Sequence, residues 1–288
     1  MSKPRILVQL DTDSQPSVFD SVVAIDSGVE HLLRHHGITP ENVVERVHGA
    51  IFTRGPDDLK NTALFVGGSD VALGEKVVAA IQKAFIGPLR CSVMMDSNGA
   101  NTTAAAAVLA AARHLELAGL KATVLAATGP VGQRVAWLLA RAGAEVRAAS
   151  RNLKRAEEVC QSIAAKSPAG RVIPCSTASA AELQEALGDS ALVVAAGAAG
   201  IELLPAAALA GARELKVAID LNAVPPLGIA GIKVMDKAAE RDGRICYGAI
   251  GVGGAKMKIH KAAIRALFES NDRVLDAAEI FEIGLGLA

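Results

Sequence analysis

The sequence predicts an α/β fold in which a Rossmann-type doubly wound parallel sheet is joined to a smaller α/β substrate domain. Three observations carry that expectation. Hydrophobic residues make up 51% of the chain but aromatics only 3%, so the core is left to Ala, Val, Leu and Ile, as suits strands buried on both faces beneath helices. Short aliphatic runs alternate with helix-period segments, which is the rhythm of βα units. The length of 288 residues suggests two domains of ordinary size.

Taken in order, residues 6–10 read as a buried strand ending in Asp11-Thr12-Asp13. Ser17 can cap a helix over residues 18–36, with apolar positions at Val18, Val22, Ile25, Val29, Leu32 and Leu33. Thr39 as cap and Pro40 at the first position open a second helix. Strands near 50–53 and 63–66 follow, then a helix from Gly67-Gly68-Ser69-Asp70 to about 85 and a strand over 91–95. Asp96-Ser97-Asn98-Gly99-Ala100-Asn101-Thr102-Thr103 interrupts the pattern, and an Ala-rich helix running to about 118 joins the domains. Beyond it the segments 123–127, 145–149, 191–195 and 217–221 read as strands, and 129–142 and 154–165 as helices. Helices over 255–270 and 277–287 return to the first domain. The expected division is residues 1–103 with 262–288 for the substrate domain and 104–261 for the Rossmann domain.

Composition narrows the partners. Thirty basic residues balance thirty acidic ones, so no global field favours nucleic acid or a membrane surface, and few aromatics are present for base stacking. Cys91, Cys160, Cys175 and Cys246 are far apart, without a CxxC pair; they read as buried thiols in a reducing compartment. Residues 1–5 lead into a strand pattern rather than an apolar signal core. Gly, Pro or charge interrupts every aliphatic stretch before about 18 residues. A cytoplasmic location is expected. The histidines, among them His31, His35, His36 and His260, lack metal-ligand spacing and read as surface or helix-packing residues, so no metal is expected.

The strongest local signal is Val124-Leu125-Ala126-Ala127-Thr128-Gly129-Pro130-Val131-Gly132, which follows a strand and opens a helix, as a dinucleotide fingerprint must. Gly129 would let the backbone approach a pyrophosphate, and Gly132 would let the helix pack on the strand. Backbone N–H groups at the helix start, with the helix dipole, would stabilise phosphate charge at Thr128, Gly129, Pro130, Val131 and Gly132. Ala127 stands at the fingerprint's first glycine, so taken alone the motif also fits a plain turn. After the next strand an NAD enzyme usually places Asp or Glu for the ribose hydroxyl; here the residues are Ser150-Arg151-Asn152-Leu153-Lys154-Arg155. Ser150 can donate to a 2′-phosphate, and Arg151 and Lys154 can neutralise it, which favours NADP over NAD. Ala196, Gly197 and Ala198 end one strand, and their small side chains give a nicotinamide ring access or simply suit helix packing. Asn222, past another strand, can bond the carboxamide.

Several segments together resemble the bacterial methylene-tetrahydromethanopterin dehydrogenases. They are Pro16-Ser17-Val18-Phe19-Asp20, Phe52-Thr53-Arg54-Gly55, Phe65-Val66-Gly67-Gly68, the Asp96–Thr103 stretch, Thr128-Gly129-Pro130-Val131-Gly132, Asn222-Ala223-Val224-Pro225-Pro226-Leu227-Gly228-Ile229 and Gly248-Ala249-Ile250-Gly251. The resemblance spans essentially the whole chain. It implies a homo-oligomer of two-domain subunits in one-carbon metabolism, oxidising a methylene-tetrahydropterin to its methenyl form with NADP. A methylene bridge between two nitrogens gives up hydride readily because the product cation is delocalised, and no proton moves. Such a step needs orientation and electrostatics rather than a general base.

On this reading Asp20, beside Phe19 in a first helical turn, would stabilise the methenyl cation or bond the pterin. The resemblance implies a functional lysine at Lys256, which is expected in the first turn of the 255–270 helix, opposing the dipole, and paired with Asp20 or touching the pterin; Lys258 competes with it. Asp96, Asn98, Thr102 and Thr103 would contact pterin or nicotinamide, or merely cap their helix. A tetrahydrofolate-specific methylene dehydrogenase is the nearest rival, and a non-catalytic NADP-sensing protein a more distant one.

Overall fold

The computed structural model describes residues 3–167 and 170–287, so the segment's first residues Met1 and Ser2 lie outside it. The chain divides into two compact units, Met1–Thr102 with Met257–Ala288, and Thr103–Lys256.

The first unit begins with β1 (Ile6–Asp11), α1 (Val18–Asp26), β2 (His31–His35) and α2 (Val43–Ile51). The expected single helix over 18–36 is therefore wrong. It ends at Asp26, where Ser27 bonds back through its hydroxyl to the Val23 carbonyl (2.6 Å) and Gly28 turns the chain at φ +90°. The apolar repeat that suggested a longer helix is not a core stripe: Val18, Val22 and Ile25 are all more than half exposed, and residues 31–35 pair in register with β1 as an edge strand. Thr39 does not cap α2 either. Thr39 and Asn42 close a turn on each other, backbone amide to side-chain oxygen in both directions, and the helix starts at Val43. The strand expected near 50–53 is the end of α2, because Val43, Val47, Ala50 and Ile51 share one buried helical face.

Next come β3 (Thr62–Gly67), α3 (Val71–Ala84) and β4 (Ser92–Met95). Asp70 caps α3, accepting from the Leu73 amide at 3.0 Å. The Ala-rich helix, α4 (Ala100–Ala112), stops short of 118 and crosses the division of the chain.

In the second unit β5 (Lys121–Leu125), α5 (Pro130–Arg141), β6 (Glu145–Ser150), α6 (Leu153–Lys166), β7 (Arg171–Ser176), α7 (Ala180–Leu187), β8 (Leu192–Ala195), α8 (Ala206–Gly211) and β9 (Val217–Asp220) follow one another. The hairpin β10 (Ala239–Arg241) and β11 (Arg244–Tyr247) completes the sheet. The order is β10-β11-β9-β8-β5-β6-β7, parallel throughout except for β10. This is the doubly wound Rossmann order with one antiparallel edge strand. β7 escaped the sequence reading because Pro174 interrupts it; at a sheet edge a missing amide is tolerated.

α9 (Ala249–Ala266) leads back into the first unit, where β12 (Val274–Leu275) joins β4 and α10 (Ala277–Leu285) ends the described chain. That sheet has the order β12-β4-β3-β1-β2 and is all parallel. Leu10, Leu64, Val66 and Val93 on one of its faces form a dry core with Val43, Val47, Val77 and Ile81.

Gly68, just past β3, has φ +103°, and a Cβ there would fall 2.0 Å from Thr12 Oγ1 and 2.9 Å from the Thr12 nitrogen. Gly68→Ala should lower the urea midpoint at unchanged m-value, by about 2–4 kcal/mol for the backbone strain and the clash together. Gly87→Ala, at φ +54° with nothing within 4 Å, should cost about 1 kcal/mol. Equal losses in the two variants would show that the contact with Thr12 does not constrain this turn.

Candidate active site

Ligands of open α/β sheets bind beyond the carboxyl ends of strands where strand order reverses. In the second unit that point lies between β5 and β8. After β5 the chain turns at Ala126, a non-glycine residue at φ +57°, while Ala127 is buried and its amide bonds the Ala149 carbonyl at 3.0 Å. The departure from the fingerprint at Ala127 thus does not fall on the residue in left-handed conformation; Ala126 makes that turn. Gly132 is required by packing, since a Cβ would stand 2.5 Å from the Ala126 oxygen. At Gly129 a Cβ would meet only the Ala126 and Ala196 oxygens at 3.5 and 3.7 Å, so this glycine brings the β5 and β8 loops together at the reversal. No side chain caps α5 at Gly129, so the N–H groups of its first turn, beside Thr128, Pro130 and Val131, are not taken up by a capping side chain.

The end of β6 carries no carboxylate. Ser150 is buried; its hydroxyl accepts from the Asn152 amide at 3.1 Å and lies 3.5 Å from the Thr128 hydroxyl. Asn152 caps α6 by accepting from the Arg155 amide, and Arg151 and Lys154 are exposed at this helix start. Ala196 and Gly197 are half-buried and Ala198 is exposed. Asn222 is differently employed from the expectation. It is buried, donates to the Pro226 carbonyl (3.0 Å) and accepts from the Val224 amide (2.9 Å), so its amide shapes its own loop rather than facing a ring.

In the first unit the reversal lies between β1 and β3, whose ends are Asp11 and Gly67. Asp11 accepts from the amides of Asp13 and Ser17, both at 3.0 Å. Ser17 in turn caps α1, its hydroxyl accepting from the Asp20 amide at 3.2 Å. The Asp20 carboxylate comes down over the strand end: a Cβ on Gly67 would be 3.2 Å from Asp11 Oδ2 and 3.4 Å from Asp20 Oδ2. Burial pushes the Asp20 carboxyl up to about 6; the charge of His260 pulls the other way, Asp96 adds to the rise, the Ser17 hydroxyl lowers it, and Asp11 raises it. Phe19, next to it, is 51% exposed.

Asp96 and Thr102 are not open to a substrate as expected. Both are buried; Asp96 accepts from the Asn101 and Thr102 amides, each at 3.0 Å, and from the Thr102 hydroxyl at 2.6 Å. They close the start of α4. Asn98 holds a left-handed turn (φ +53°) and donates its amide to the Gly68 carbonyl at 2.7 Å. Thr103, half-buried in α4, is the first residue of the second unit. Lys256 is not in a first turn, because α9 begins at Ala249; the argument from an unfavourable dipole does not apply to it. Lys256 is half-buried while Lys258 is exposed, and Lys256 shares a helical face with His260, four residues on.

His260, read from sequence as a surface or helix-packing residue, packs inside the first unit beside these carboxylates. It is fully buried, its Nδ1 lies 3.8 Å from Asp96 Oδ2, and its ring stacks on Phe65 with centroids 5.7 Å apart. Phe19 approaches the same ring at 6.3 Å. The one-turn spacing from Lys256 was the available signal.

Between pH about 4 and about 6 the folded chain holds a proton on Asp20 that the unfolded chain has released, so stability falls as pH rises through this window. Asp20→Asn removes that slope. Its unfolding free energy should match the parent below pH 4 and exceed it at pH 7.5 by about 1–3 kcal/mol, measured by urea titration. A variant less stable than the parent at pH 7.5 would contradict the buried-carboxylate account.

Residues 18–98 match the family model described as methylene-tetrahydromethanopterin dehydrogenase, N-terminal. Over 290 residues, covering 100% of both chains, the protein is 46% identical to the bifunctional protein MdtA of Methylorubrum extorquens. It is 31% identical over 295 residues, 98% of each chain, to the NAD(P)-dependent methylenetetrahydromethanopterin dehydrogenase of the same organism. Among solved structures, shikimate 5-dehydrogenase from Listeria monocytogenes superposes with a TM-score of 0.61 at 13% identity, covering 99% of this chain and 96% of the other. Quinate dehydrogenase from Corynebacterium glutamicum gives 0.56, also at 13%, over 99% and 100%; these two likenesses speak for the fold. Full-length identity to both relatives, together with the matched N-terminal region, means that the chain belongs to the methylene-tetrahydromethanopterin dehydrogenase family.

Proposed function

We propose that this chain is an NADP-dependent oxidoreductase that takes hydride from the methylene bridge of methylene-tetrahydromethanopterin to give the methenyl form. The observation that carries the reading is Asp20, a carboxylate held at the strand-order reversal of the first unit where the reaction calls for negative charge. The family relationship supports it. Loss of a hydride from the N–CH2–N bridge leaves a cation shared between two nitrogens. Asp20, ionised above pH about 6, stabilises that charge without moving a proton. Phe19 offers its exposed ring to the pterin. Lys256, half-buried on the His260 face of α9, orients the substrate or the carboxylate; as an ammonium it would oppose the developing cation if it stood against the reacting carbon.

The second unit fits a dinucleotide: Gly132 lies where a side chain would strike the Ala126 backbone and so lets α5 start close to the strand end, and α5 begins without a side-chain cap. NADP+ supplies the hydride acceptor when bound. The N–H groups of Thr128, Val131 and Gly132 would hold the diphosphate, Ser150, Arg151 and Lys154 the 2′-phosphate, and Ala196 and Gly197 would leave room for the flat ring. All four cysteines are free thiols, which suits the cytoplasmic, homo-oligomeric enzyme that this reading includes. No helix among the described residues is long and apolar enough to cross a membrane.

Purified protein should reduce NADP+ with methylene-tetrahydromethanopterin, with the tetrahydrofolate analogue and NAD+ run beside it. Faster turnover of the folate would shift the substrate assignment, and turnover of neither carrier would sink the reading. Arg151→Glu should lower kcat/KM for NADP+ by about 10–100-fold, the loss of a charge-assisted phosphate contact, and that for NAD+ by much less. Equal losses with both nucleotides would place Arg151 outside the 2′-phosphate site.

A further inference from the structure

We propose that His260 is a positioning residue for the reaction, a buried cationic imidazole set among carboxylates that keeps Asp20 in place and charged. The inference rests on Asp20 serving the substrate, as assigned above. His260 is 0% exposed, yet an apolar ring would stack on Phe65 equally well; burying an imidazole costs free energy unless a polar interaction offsets it. The offset is electrostatic.

Asp96, from the turn between β4 and α4, stands 3.8 Å from Nδ1, beyond hydrogen-bonding distance but close enough for charge. Asp20 follows Phe19, whose ring lies 6.3 Å from the His260 ring, centroid to centroid, and its carboxyl feels the imidazole's charge; Asp11, at the end of β1, adds a third carboxylate beside Asp20. From its own helix the charged neighbour one turn back is Lys256. Three carboxylates gathered in a desolvated corner repel one another, and without a cation one of them would take up a proton.

Asp96 cannot adjust its position, because two α4 amides and the Thr102 hydroxyl hold it. Its fixed charge favours the protonated imidazole, and the imidazolium in turn favours ionised Asp20. The relay runs from the start of α4 through Asp96 and His260 to Asp20. Phe65 and Phe19 confine the ring between them. The charge of His260 opposes the rise that burial imposes on the Asp20 carboxyl, so removing it leaves Asp20 protonated further up the pH scale.

The test uses the full chain, with kcat and KM for methylene-tetrahydromethanopterin and NADP+ measured from pH 5 to 9 in the parent, His260→Gln, His260→Phe and Asp20→Asn. In both His260 variants the acid limb of kcat/KM for the pterin should move up by about one pH unit. Turnover should fall about fivefold at pH 6 and recover by pH 8.5, with KM for NADP+ unchanged. An unmoved acid limb, whether activity is intact or uniformly reduced, overturns the proposal, since a merely structural role would lower activity at every pH. Failure of the underlying reading looks different: the parent would not turn over the pterin, or Asp20→Asn would keep the parent's acid limb.

A second measurement stands apart from activity and from the folding of the His260 variants. The His260 ring, assigned by NMR through its contacts with Phe65, should hold its proton to higher pH in the parent than in Asp20→Asn. Identical titrations in the two proteins would also overturn the proposal.

Discussion

Reversal of strand order is the constraint on which both halves of this protein depend. A right-handed crossover places its helix on one face of a parallel sheet, so strands added to either side of a starting strand send their helices to opposite faces. The carboxyl ends of the two central strands are then left uncovered. In the first unit those ends are Asp11 and Gly67, and in the second they are the loops that start at Ala126 and Ala196. Each unit fills its reversal with a different chemistry. The first gathers the carboxylates of Asp11 and Asp20 close over Gly67, and the second presents a helix start without a side-chain cap. The same topology thus carries different charge in the two units because different residues terminate the strands.

Charge in the first unit is arranged in two tiers. Asp11 and Asp96 are spent on backbone amides, which hold the β1–α1 and β4–α4 connections in shape. Asp20 has its own amide bound to Ser17, while its carboxylate takes up the field of the others. A carboxylate with several amide donors is anchored and stays ionised cheaply. One that is merely desolvated is responsive, and its charge depends on what stands next to it. In the role proposed for Asp20 that responsiveness would be useful, since a substrate gaining positive charge lowers the same cost that burial raised.

Much of the fold was legible because parallel strands leave continuous aliphatic runs: Ile6 to Leu10, Ala63 to Val66, Thr123 to Leu125, Leu192 to Ala195 and Val217 to Ile219 all lie in strands. The errors have physical causes. Val18, Val22 and Ile25 repeat with helical spacing but face outward, so periodicity alone ran the helix into an edge strand whose Leu33 is also half exposed. Residues 50–53 lack a breaker and are rich in β-formers, yet tertiary packing of Val47, Ala50 and Ile51 kept them helical. Pro174 hid an edge strand. In the site, glycine spacing and the missing acid after β6 could be read directly, because they depend on backbone and charge. That Asp96, Thr102 and Asn222 face inward could not be read, since a capping residue and a ligand contact use the same side chains.

Lys256 lies in the body of a helix rather than in its first turn. The dipole reasoning required a helix beginning at Ala255, but α9 starts at Ala249, six residues earlier, with Gly251, Gly253 and Gly254 inside it. Gly251 is forced by packing, as a Cβ would lie 1.7 Å from the Asp236 oxygen; Gly253 and Gly254 would meet nothing within 4 Å. Glycine-rich segments look like turns in sequence because glycine is costly inside helices, and here a close approach offsets that cost at only one of the three. Moving the helix start removes the electrostatic oddity of Lys256 and replaces it with a geometric one. Lysine and histidine one turn apart on a single helix face put two basic groups on the side of α9 that carries the buried imidazole. Of the two, His260 is the one whose acidic neighbour is defined, Asp96 at 3.8 Å.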